Sequence, residues 1–346
     1  MPQPLHFLYQ ALYRGLLSRF PEPAAVALGQ GILRLAPLDR LSLFRAHDPR
    51  LAVTLGGVRL PNPLILSSMY YDLRILRRAM GLGFGAVTTK SITVNPRPGH
   101  PKPNLVRILT AAGPGFVNCN GFKNPGLQAY RALLPALSHR VPLIVAVAGE
   151  SVADYVTLVE ELAPYGDLVE FNISSPNTTL VYQWSQKPEE VAQLFKAVRT
   201  ATAKPLIVKL SPDFSEVNEQ TLIPAAIENG IEIVNYANAR RITEPRLSQG
   251  SGGLSGPDLY PNTLESVARL YRRFGSSIQI IATGGIDTPD KALALLRAGA
   301  TACAYFTGFI TRGPLLARQI LDRLSQEIDG QGARSVEELR GLGSTR

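Results

Sequence analysis

Eight short apolar runs, spaced along the chain from residue 62 onward, constrain the fold more than any other feature of the sequence. Each run is rich in β-branched residues and apolar on both faces, which is the pattern of a parallel strand buried on both sides. The runs cover residues 62–68, 86–93, 142–149, 168–174, 205–211, 231–238, 278–285 and 302–308.

Helical patterns separate most of these runs. The stretch 151–166 opens with Ser151 as a candidate N-cap, and 187–202 and 288–300 carry apolar residues at helical spacing. Eight strands alternating with helices over about 250 residues predict an α/β protein with a (β/α)8 TIM barrel. An open doubly wound sheet is the alternative, but no GxGxxG motif follows the first run. The long connection before the third run contains RILTAAGPGFVN (107–118), which predicts an inserted hairpin.

The predicted barrel occupies residues 46–330, between a helical extension (1–45) and a polar C-terminal tail (331–346). The extension carries two apolar helical patterns, 4–20 and 24–35, and its first 20 residues contain no acidic residue. A short cationic, amphipathic helix pair is typical of a segment that binds a membrane surface. The alternative is that the apolar stripes pack against the barrel or against a dimer partner.

Composition narrows the range of partners. Two cysteines, Cys119 and Cys303, and four scattered histidines form neither a disulfide framework nor a metal-ligand spacing, so we expect no metal and a cytoplasmic location. No apolar run reaches the roughly 18 residues of a membrane span. The net charge of +9 suits an anionic ligand, an anionic lipid or nucleic acid. The chain has no zinc-finger spacing and no basic run with aromatic residues, so we do not expect nucleic-acid binding.

Polar side chains and glycines follow nearly every predicted strand. Because the C-terminal strand ends and the following loops form the active site of such a barrel, we expect these residues to face one ligand. The glycine-rich stretch 250–256 and the pair Gly284-Gly285 predict a phosphate site, since glycine lets the backbone approach phosphate oxygens closely. The alternative for the pair is a simple tight turn.

Five motifs together resemble the dihydroorotate dehydrogenases. They are FNISSPNT (171–178), VKLSPD (208–213), GGLSG (252–256), ATGGI (282–286) and TGFITRGP (307–314). The resemblance covers roughly residues 50–325 in order, and residues 1–45 resemble the helical extension of the membrane-associated, quinone-reducing class. It implies an FMN cofactor, oxidation of dihydroorotate to orotate, a quinone as electron acceptor and a peripheral position on the membrane.

The resemblance also implies a role for each matched residue. Ser175 would be the catalytic base, although a serine needs hydrogen-bonded help for that task and Ser175 could instead cap a turn with Ser174. Lys209 would face the pyrimidine edge of the flavin, and Arg107 and Phe306 would line a quinone tunnel. The substrate would be held by Asn118, Asn172, Asn177 and Asn238. The cofactor would be held by Ser67, Ser68, Ser91, Asn172, Lys209, Gly256, Gly284, Gly285, Thr307 and Gly308.

The chain departs from the family pattern at several positions. The quinone class carries a lysine in a GLDK-like motif after the first strand, where this chain has SSMYYD (67–72). The soluble class has a TKS motif at the second strand, and TTKSIT (88–93) matches it, so we predict that Lys90 takes the substrate-facing role. Ala239 stands where the family has Thr or Ser, Phe306 replaces a tyrosine, and PEPAAV (21–26) lacks the family's histidine.

These departures leave two alternatives beside the quinone-dependent dihydroorotate dehydrogenase. One is a related flavoenzyme that oxidises another cyclic substrate or uses a soluble acceptor. The other is a barrel that binds flavin without turnover. The oligomeric state stays open.

Overall fold

The structure is a computed structural model that describes residues 22–175, 187–236 and 239–343, together with residues 9, 11, 13, 15, 19, 20 and 184. Within these residues, eight parallel strands pair in chain order and the eighth pairs with the first, which closes a barrel. The predicted (β/α)8 fold is confirmed. The strands are β1 (Leu64–Leu66), β2 (Ala86–Thr88), β3 (Leu143–Val147), β4 (Leu168–Asn172), β5 (Leu206–Leu210), β6 (Ile233–Tyr236), β7 (Gln279–Thr283) and β8 (Ala302–Tyr305).

One main helix follows each strand. Ser151 Oγ accepts a hydrogen bond from the Asp154 N–H at 3.1 Å, and Thr288 caps another helix in the same way, so local capping begins these helices where the sequence indicates. The helices are α1 (Leu73–Ala79), α2 (Leu127–Leu133), α3 (Val152–Leu162), α4 (Pro188–Ala201), α5 (Ile223–Glu228), α6 (Tyr260–Phe274), α7 (Pro289–Arg297) and α8 (Leu315–Gln331).

The strands are shorter than the apolar runs that predicted them. Every residue of β3, β4 and β5 is buried, because these strands pack against the helices on one face and fill the barrel on the other. The polar residues that end each run lie at or just beyond the strand's last paired residue. The strand ends therefore carry those side chains to the mouth of the barrel.

A separate antiparallel sheet of four strands borders the mouth. The predicted hairpin is present as Leu105–Thr110 and Gly113–Asn118, and the sheet continues through Ser251–Ser255 to Arg240–Thr243. A two-stranded hairpin, Val53–Leu55 with Val58–Leu60, precedes the barrel.

The extension contains a helix, Glu22–Leu35, that covers the second predicted helical pattern and ends at the same residue. Residues 9, 11, 13 and 15 are helical too, residues 19 and 20 are not in an α-helix, and the other residues of the first predicted helix lie outside the described residues. Three side chains spaced on one face of the helix stay exposed, namely Leu28, Ile32 and Leu35. Among the described helices, none has both the length and the apolar character needed to cross a bilayer.

The segment predicted as a polar tail packs on the barrel. Val336 and Leu339 are buried in the main core, and the Arg340 guanidinium donates to the carbonyl oxygens of Gly299 and Ile278. Helix α8 also runs one residue past the predicted barrel boundary. The division into extension, barrel and tail stays a prediction, but residues 331–343 are attached to the barrel core.

Candidate active site

A single cleft at the mouth of the barrel gathers most of the residues that the sequence singled out. It encloses about 1070 Å³ of space between protein atoms, including solvent at its opening. Asn177 and Asn238 lie outside the described residues, and Arg107 does not line the cleft. The predicted residues that line it are Ser67, Ser68, Lys90, Ser91, Asn118, Asn172, Ser175, Lys209, Gly256, Gly284, Gly285, Phe306, Thr307 and Gly308.

The two serines that follow β4 have different environments. Ser174 is fully buried, and its N–H and hydroxyl both donate to Asn172 Oδ1, at 3.2 and 3.4 Å. The Asn172 amide in turn donates to Ser91 Oγ at 3.3 Å, which fixes its orientation. Ser175 lines the cleft instead. Ser174 therefore bonds within the turn after β4, whereas Ser175 lies at the cleft, where a ligand could contact it.

Two lysines enter the cleft from different strands. Lys209, on β5, is 6% exposed, and its Nζ lies 3.6 Å from the Glu170 carboxylate on β4. Lys90 follows β2, and burial together with the charge of Lys209 lowers its pKa to about 8. Lys90 is therefore partly neutral near physiological pH, and a bound anion would favour its charged form.

The residues after β1 present hydroxyls rather than a cation. Ser67 Oγ and Ser68 Oγ are buried and have no hydrogen-bond partner among the described residues. Tyr71 does not line the cleft, and its carbonyl accepts a hydrogen bond from the Tyr130 hydroxyl at 3.3 Å. No residue of 67–72 supplies a positive charge, and Lys90 lines the same cleft as Ser67 and Ser68.

The glycines after β7 and β8 are required by the shape of the turns. Gly284 and Gly285 have φ values of +116° and +77°, which side-chain-bearing residues rarely adopt. A Cβ on Gly285 would lie 2.4 Å from the Tyr260 nitrogen, and one on Gly308 would lie 2.2 Å from the Ile286 oxygen. These glycines are fixed by tight packing behind the turn, and their backbone lines the cleft.

An aromatic cluster connects the extension to the cleft. The Phe306 ring, which lines the cleft, packs edge-on against Tyr70 with ring centroids 5.1 Å apart. Tyr9 stacks on Tyr13, and its hydroxyl donates to the Ile310 carbonyl at 2.7 Å. Burial raises the pKa of Tyr13, and the neighbouring Arg107 guanidinium opposes that rise. Arg107 therefore lies between the extension and the barrel rather than in the cleft itself.

Sequence analysis missed several residues that line the cleft or support it. Asn120 lines the cleft two residues after Asn118, and the Asn-x-Asn spacing was the available signal. Asp287 also lines it and accepts hydrogen bonds from Lys291 and Arg312. Phe122 has a φ of +54°, an unusual backbone conformation for a large side chain, and nothing in the sequence marks it. Within the described residues, no group of three or more acidic, His or Cys side chains is arranged to hold a metal ion.

Comparisons with known proteins agree on one family. The family model described as dihydroorotate dehydrogenase matches residues 50–328. A dihydroorotate dehydrogenase B (NAD(+)) catalytic subunit from Pyrococcus abyssi is 35% identical over 84% of this chain and 98% of its own length. A dihydroorotate dehydrogenase (quinone) from Thermus thermophilus is 33% identical over 95% of this chain and 99% of its own length.

Solved structures share the fold. The ligand-free type DHODH from Eimeria tenella superposes with a TM-score of 0.81 at 24% identity, covering 92% of this chain and 98% of that chain. The Eimeria tenella DHODH in complex with ferulenol has a TM-score of 0.82, also at 24% identity, covering 97% of this chain and 99% of that chain.

Proposed function

The chain belongs to the dihydroorotate dehydrogenase family, and from this membership we propose that it oxidises dihydroorotate with a membrane quinone as the electron acceptor. Members of this family are FMN flavoproteins, and their reaction is a step of pyrimidine biosynthesis. The resemblance read from the five motifs is thereby confirmed at the level of the family. The acceptor and the individual roles of the residues are the parts that we propose.

The residues of the cleft fit FMN. Ser67 Oγ and Ser68 Oγ are buried polar atoms that lack partners among the described residues, and leaving such an atom unpaired costs about 1–3 kcal/mol. A ligand with ring nitrogens and carbonyl oxygens would supply those partners. We assign Ser67, Ser68 and Lys209 to the flavin ring. When bound, FMN accepts the hydride that leaves the substrate.

The phosphate of the cofactor is assigned to the part of the cleft that glycine backbone lines. Gly256, Gly284 and Gly285 present backbone rather than side chain there, and the amide groups in the first turn of the helix Thr307–Arg312 have no partner within the helix. Backbone N–H groups of this kind suit phosphate oxygens. Thr307 and Gly308 complete this proposed cradle.

The substrate is assigned to the side lined by polar side chains. Ser175 removes a proton from a ring carbon, and this requires that the serine hydroxyl pass its own proton on to a neighbouring acceptor. Lys90 holds the substrate's carboxylate, and Asn118 and Asn172 bind its amide edges, since each side-chain amide offers both a donor and an acceptor. Asn177 and Asn238 are assigned to the same task from the family motif alone.

The quinone proposal rests on the attachment of the extension beside the cleft. Tyr9 and Tyr13 contact the barrel next to Arg107 and close to Phe306, so an apolar path would lead from the extension toward the flavin. The match with the quinone-type relative spans 95% of this chain, against 84% for the NAD(+)-type subunit. The exposed face of the helix Glu22–Leu35 would rest on the membrane surface.

An anaerobic two-step experiment tests both halves of the proposal. Dihydroorotate is mixed with the FMN-loaded protein, and bleaching of the flavin absorbance reports oxidation of the substrate. The reduced protein is then mixed with a short-chain ubiquinone, with NAD⁺ or with fumarate. We expect bleaching within seconds and rapid recovery only with the quinone.

Two variants separate the quinone path from the substrate site. Arg107→Ala should slow recovery by quinone and leave bleaching by dihydroorotate unchanged, because Arg107 lies outside the cleft. Recovery with NAD⁺ and not with quinone would reject the quinone and indicate NAD⁺ as the acceptor, as in the name of the Pyrococcus abyssi relative. Absence of bleaching would reject dihydroorotate itself.

A further inference from the structure

A chain of polar side chains lies inside the barrel below the cleft. The Thr283 hydroxyl, on β7, donates to Asn235 Oδ1 on β6 at 2.6 Å, and Asn235 Nδ2 donates to Glu170 Oε2 on β4 at 2.6 Å. The other oxygen, Glu170 Oε1, lies 3.6 Å from Lys209 Nζ on β5. Four strands of the barrel thus contribute one residue each to a chain that ends at the cleft lysine.

These side chains face the barrel interior and not the surrounding helices. Phe171, the residue after Glu170, packs against Tyr155 and Phe195 of the helical layer, so Glu170 points to the opposite face of β4. The ladder register places Lys209 beside Asn235 on the neighbouring strand. Glu170 is 1% exposed and Asn235 is 4% exposed.

Burying a carboxylate at this position costs desolvation free energy, so its presence indicates a specific role. The attraction within a buried ion pair offsets the desolvation penalty only when the geometry is good. Apolar residues of similar volume often stabilise a fold as well as such a pair or better. Every other residue of β4 except Asn172 at its end is apolar. Glu170 Oε1 accepts no hydrogen bond among the described residues, so Lys209 is the nearest compensation for its charge.

The hydrogen bonds that link Thr283, Asn235 and Glu170 all run in one direction. Because the Thr283 hydroxyl occupies the amide oxygen of Asn235, the amide nitrogen is turned toward Glu170. That hydrogen bond holds one carboxylate oxygen and leaves the other facing the lysine. Thr283 and Asn235 therefore orient Glu170, and Glu170 in turn orients Lys209.

We propose that Glu170, held by Asn235 and Thr283, is a positioning residue that moderates the positive charge Lys209 presents to bound FMN and so lowers the reduction potential of the cofactor. The proposal rests on the assignment of Lys209 to the flavin made above. An unmoderated ammonium favours the reduced cofactor, which carries more negative charge than the oxidised form. A carboxylate 3.6 Å from that ammonium cancels part of its field.

The moderation has a consequence for the turnover of the enzyme. The cleft already holds a second lysine, Lys90, close enough to Lys209 for the two charges to repel each other. Two unopposed cations would trap the flavin in its reduced form and slow delivery of electrons to the acceptor. Glu170 counters one of them without entering the cleft.

The test is the midpoint potential of bound FMN in Glu170→Gln, measured by redox titration against a reference dye. We expect the variant to bind reduced FMN, relative to oxidised FMN, about tenfold more tightly than the wild type does. For a two-electron couple this corresponds to a rise of about 30 mV. Thr283→Val, which removes only the last donor of the chain, should shift the potential in the same direction by a smaller amount.

Glu219→Gln is the matched control. Glu219 is also a buried carboxylate, and it pairs with Arg269 at 2.8 Å in the helical layer, away from the cleft. Its replacement should lower stability without moving the potential. In a Lys209→Met background, Glu170→Gln should no longer raise the potential, because the charge that it moderates is gone.

The outcomes separate this proposal from the proposed function. If wild-type protein binds FMN and is bleached by dihydroorotate, yet Glu170→Gln and Thr283→Val keep the wild-type potential, the role of Glu170 is wrong and the proposed function stands. If Glu170→Gln fails to fold, Thr283→Val decides alone. A protein that binds FMN without bleaching by dihydroorotate rejects the substrate, and the potentials can still be measured by chemical reduction.

Discussion

The cleft and the extension (residues 1–45) hold their functional groups in opposite ways. In the cleft, buried polar groups are fixed by hydrogen bonds and ion pairs, as Asn172 is by Ser91 and Lys209 by Glu170. On the extension, Leu28, Ile32 and Leu35 stay exposed on one helix face. Chemistry in the cleft therefore depends on a few fixed atoms, whereas the proposed attachment of the extension to a membrane would depend on summed apolar area. Single substitutions should affect the first much more than the second.

The largest expected effect is that of Ser175→Ala. Loss of a general base typically slows the chemical step by roughly 10²–10⁴-fold, so anaerobic bleaching of the flavin by dihydroorotate should slow by that factor while orotate still binds. Ser174→Ala is the control, because Ser174 is fully buried, donates to Asn172 Oδ1 within the turn and does not line the cleft. It should cost about 1 kcal/mol of stability and change the bleaching rate far less. Equal slowing in both variants would contradict the assignment.

The next effect tests the extension by changing three residues at once. Leu28→Ser, Ile32→Ser and Leu35→Ser together remove apolar area that, at about 25 cal/mol per Å², contributes roughly 3 kcal/mol to membrane binding. Association with anionic liposomes, measured by co-sedimentation, should fall about 100-fold. Bleaching by dihydroorotate should not change. Leu133→Ser, an exposed leucine on helix α2, is the matched control and should leave liposome association intact.

A smaller effect is expected from Lys90→Met. A hydrogen bond to a charged group contributes about 1.5–3 kcal/mol, so the affinity for orotate should fall roughly 10- to 100-fold. Lys123→Met is the control, because Lys123 is exposed at Tyr71 and does not line the cleft. Calorimetric titration of the FMN-loaded proteins measures both. A larger loss of orotate affinity in Lys123→Met or in Tyr71→Phe than in Lys90→Met would contradict the role of Lys90 and favour the 67–72 region.

The pH dependence of orotate affinity is a second test of the role of Lys90. Burial and the charge of Lys209 lower the pKa of Lys90 to about 8, so the free site is cationic below that pH and neutral above it. Because the anion binds the cationic form, affinity should be highest below pH 8 and fall by up to about tenfold for each pH unit above it. The Lys90→Met variant should show a flat profile between pH 7 and 9. A fall toward low pH would contradict the role of Lys90.

The smallest effect is expected from Arg34→Ala, which breaks one contact between the extension and the barrel. Arg34 and Asp72 form a partly exposed ion pair at 2.6 Å, and such pairs contribute about 1 kcal/mol or less. The variant should unfold at nearly the wild-type temperature and keep both bleaching and liposome association. A large loss of liposome association would show that attachment depends on a fixed orientation and not only on apolar area.

The order of strands and helices could be read from the sequence because it depends on local patterns. Strands buried on both faces leave continuous apolar runs, and helix starts such as Ser151 carry their own capping side chain. The cleft could be anticipated for a related reason. Once a barrel is assumed, every strand must end at the same rim, so Lys90, Lys209 and the glycine pair Gly284-Gly285 converge without further information.

What the sequence left open depends on contacts between distant residues. The family motif pointed to Ser175 as the base, but the sequence left open whether Ser175 caps a turn with Ser174, because the turn contacts depend on the position of Asn172 beside Ser91. It could not show that the segment after residue 331 packs its apolar side chains on the barrel.

The hydrogen bonds that link Thr283, Asn235 and Glu170 could likewise not be predicted from the sequence, because they join residues 48 and 65 positions apart. The sequence by itself determined which elements form and which polar residues reach the rim. Closure of the barrel decided which of those residues meet, because the side chains of separate strands become neighbours only when the register between the strands is fixed.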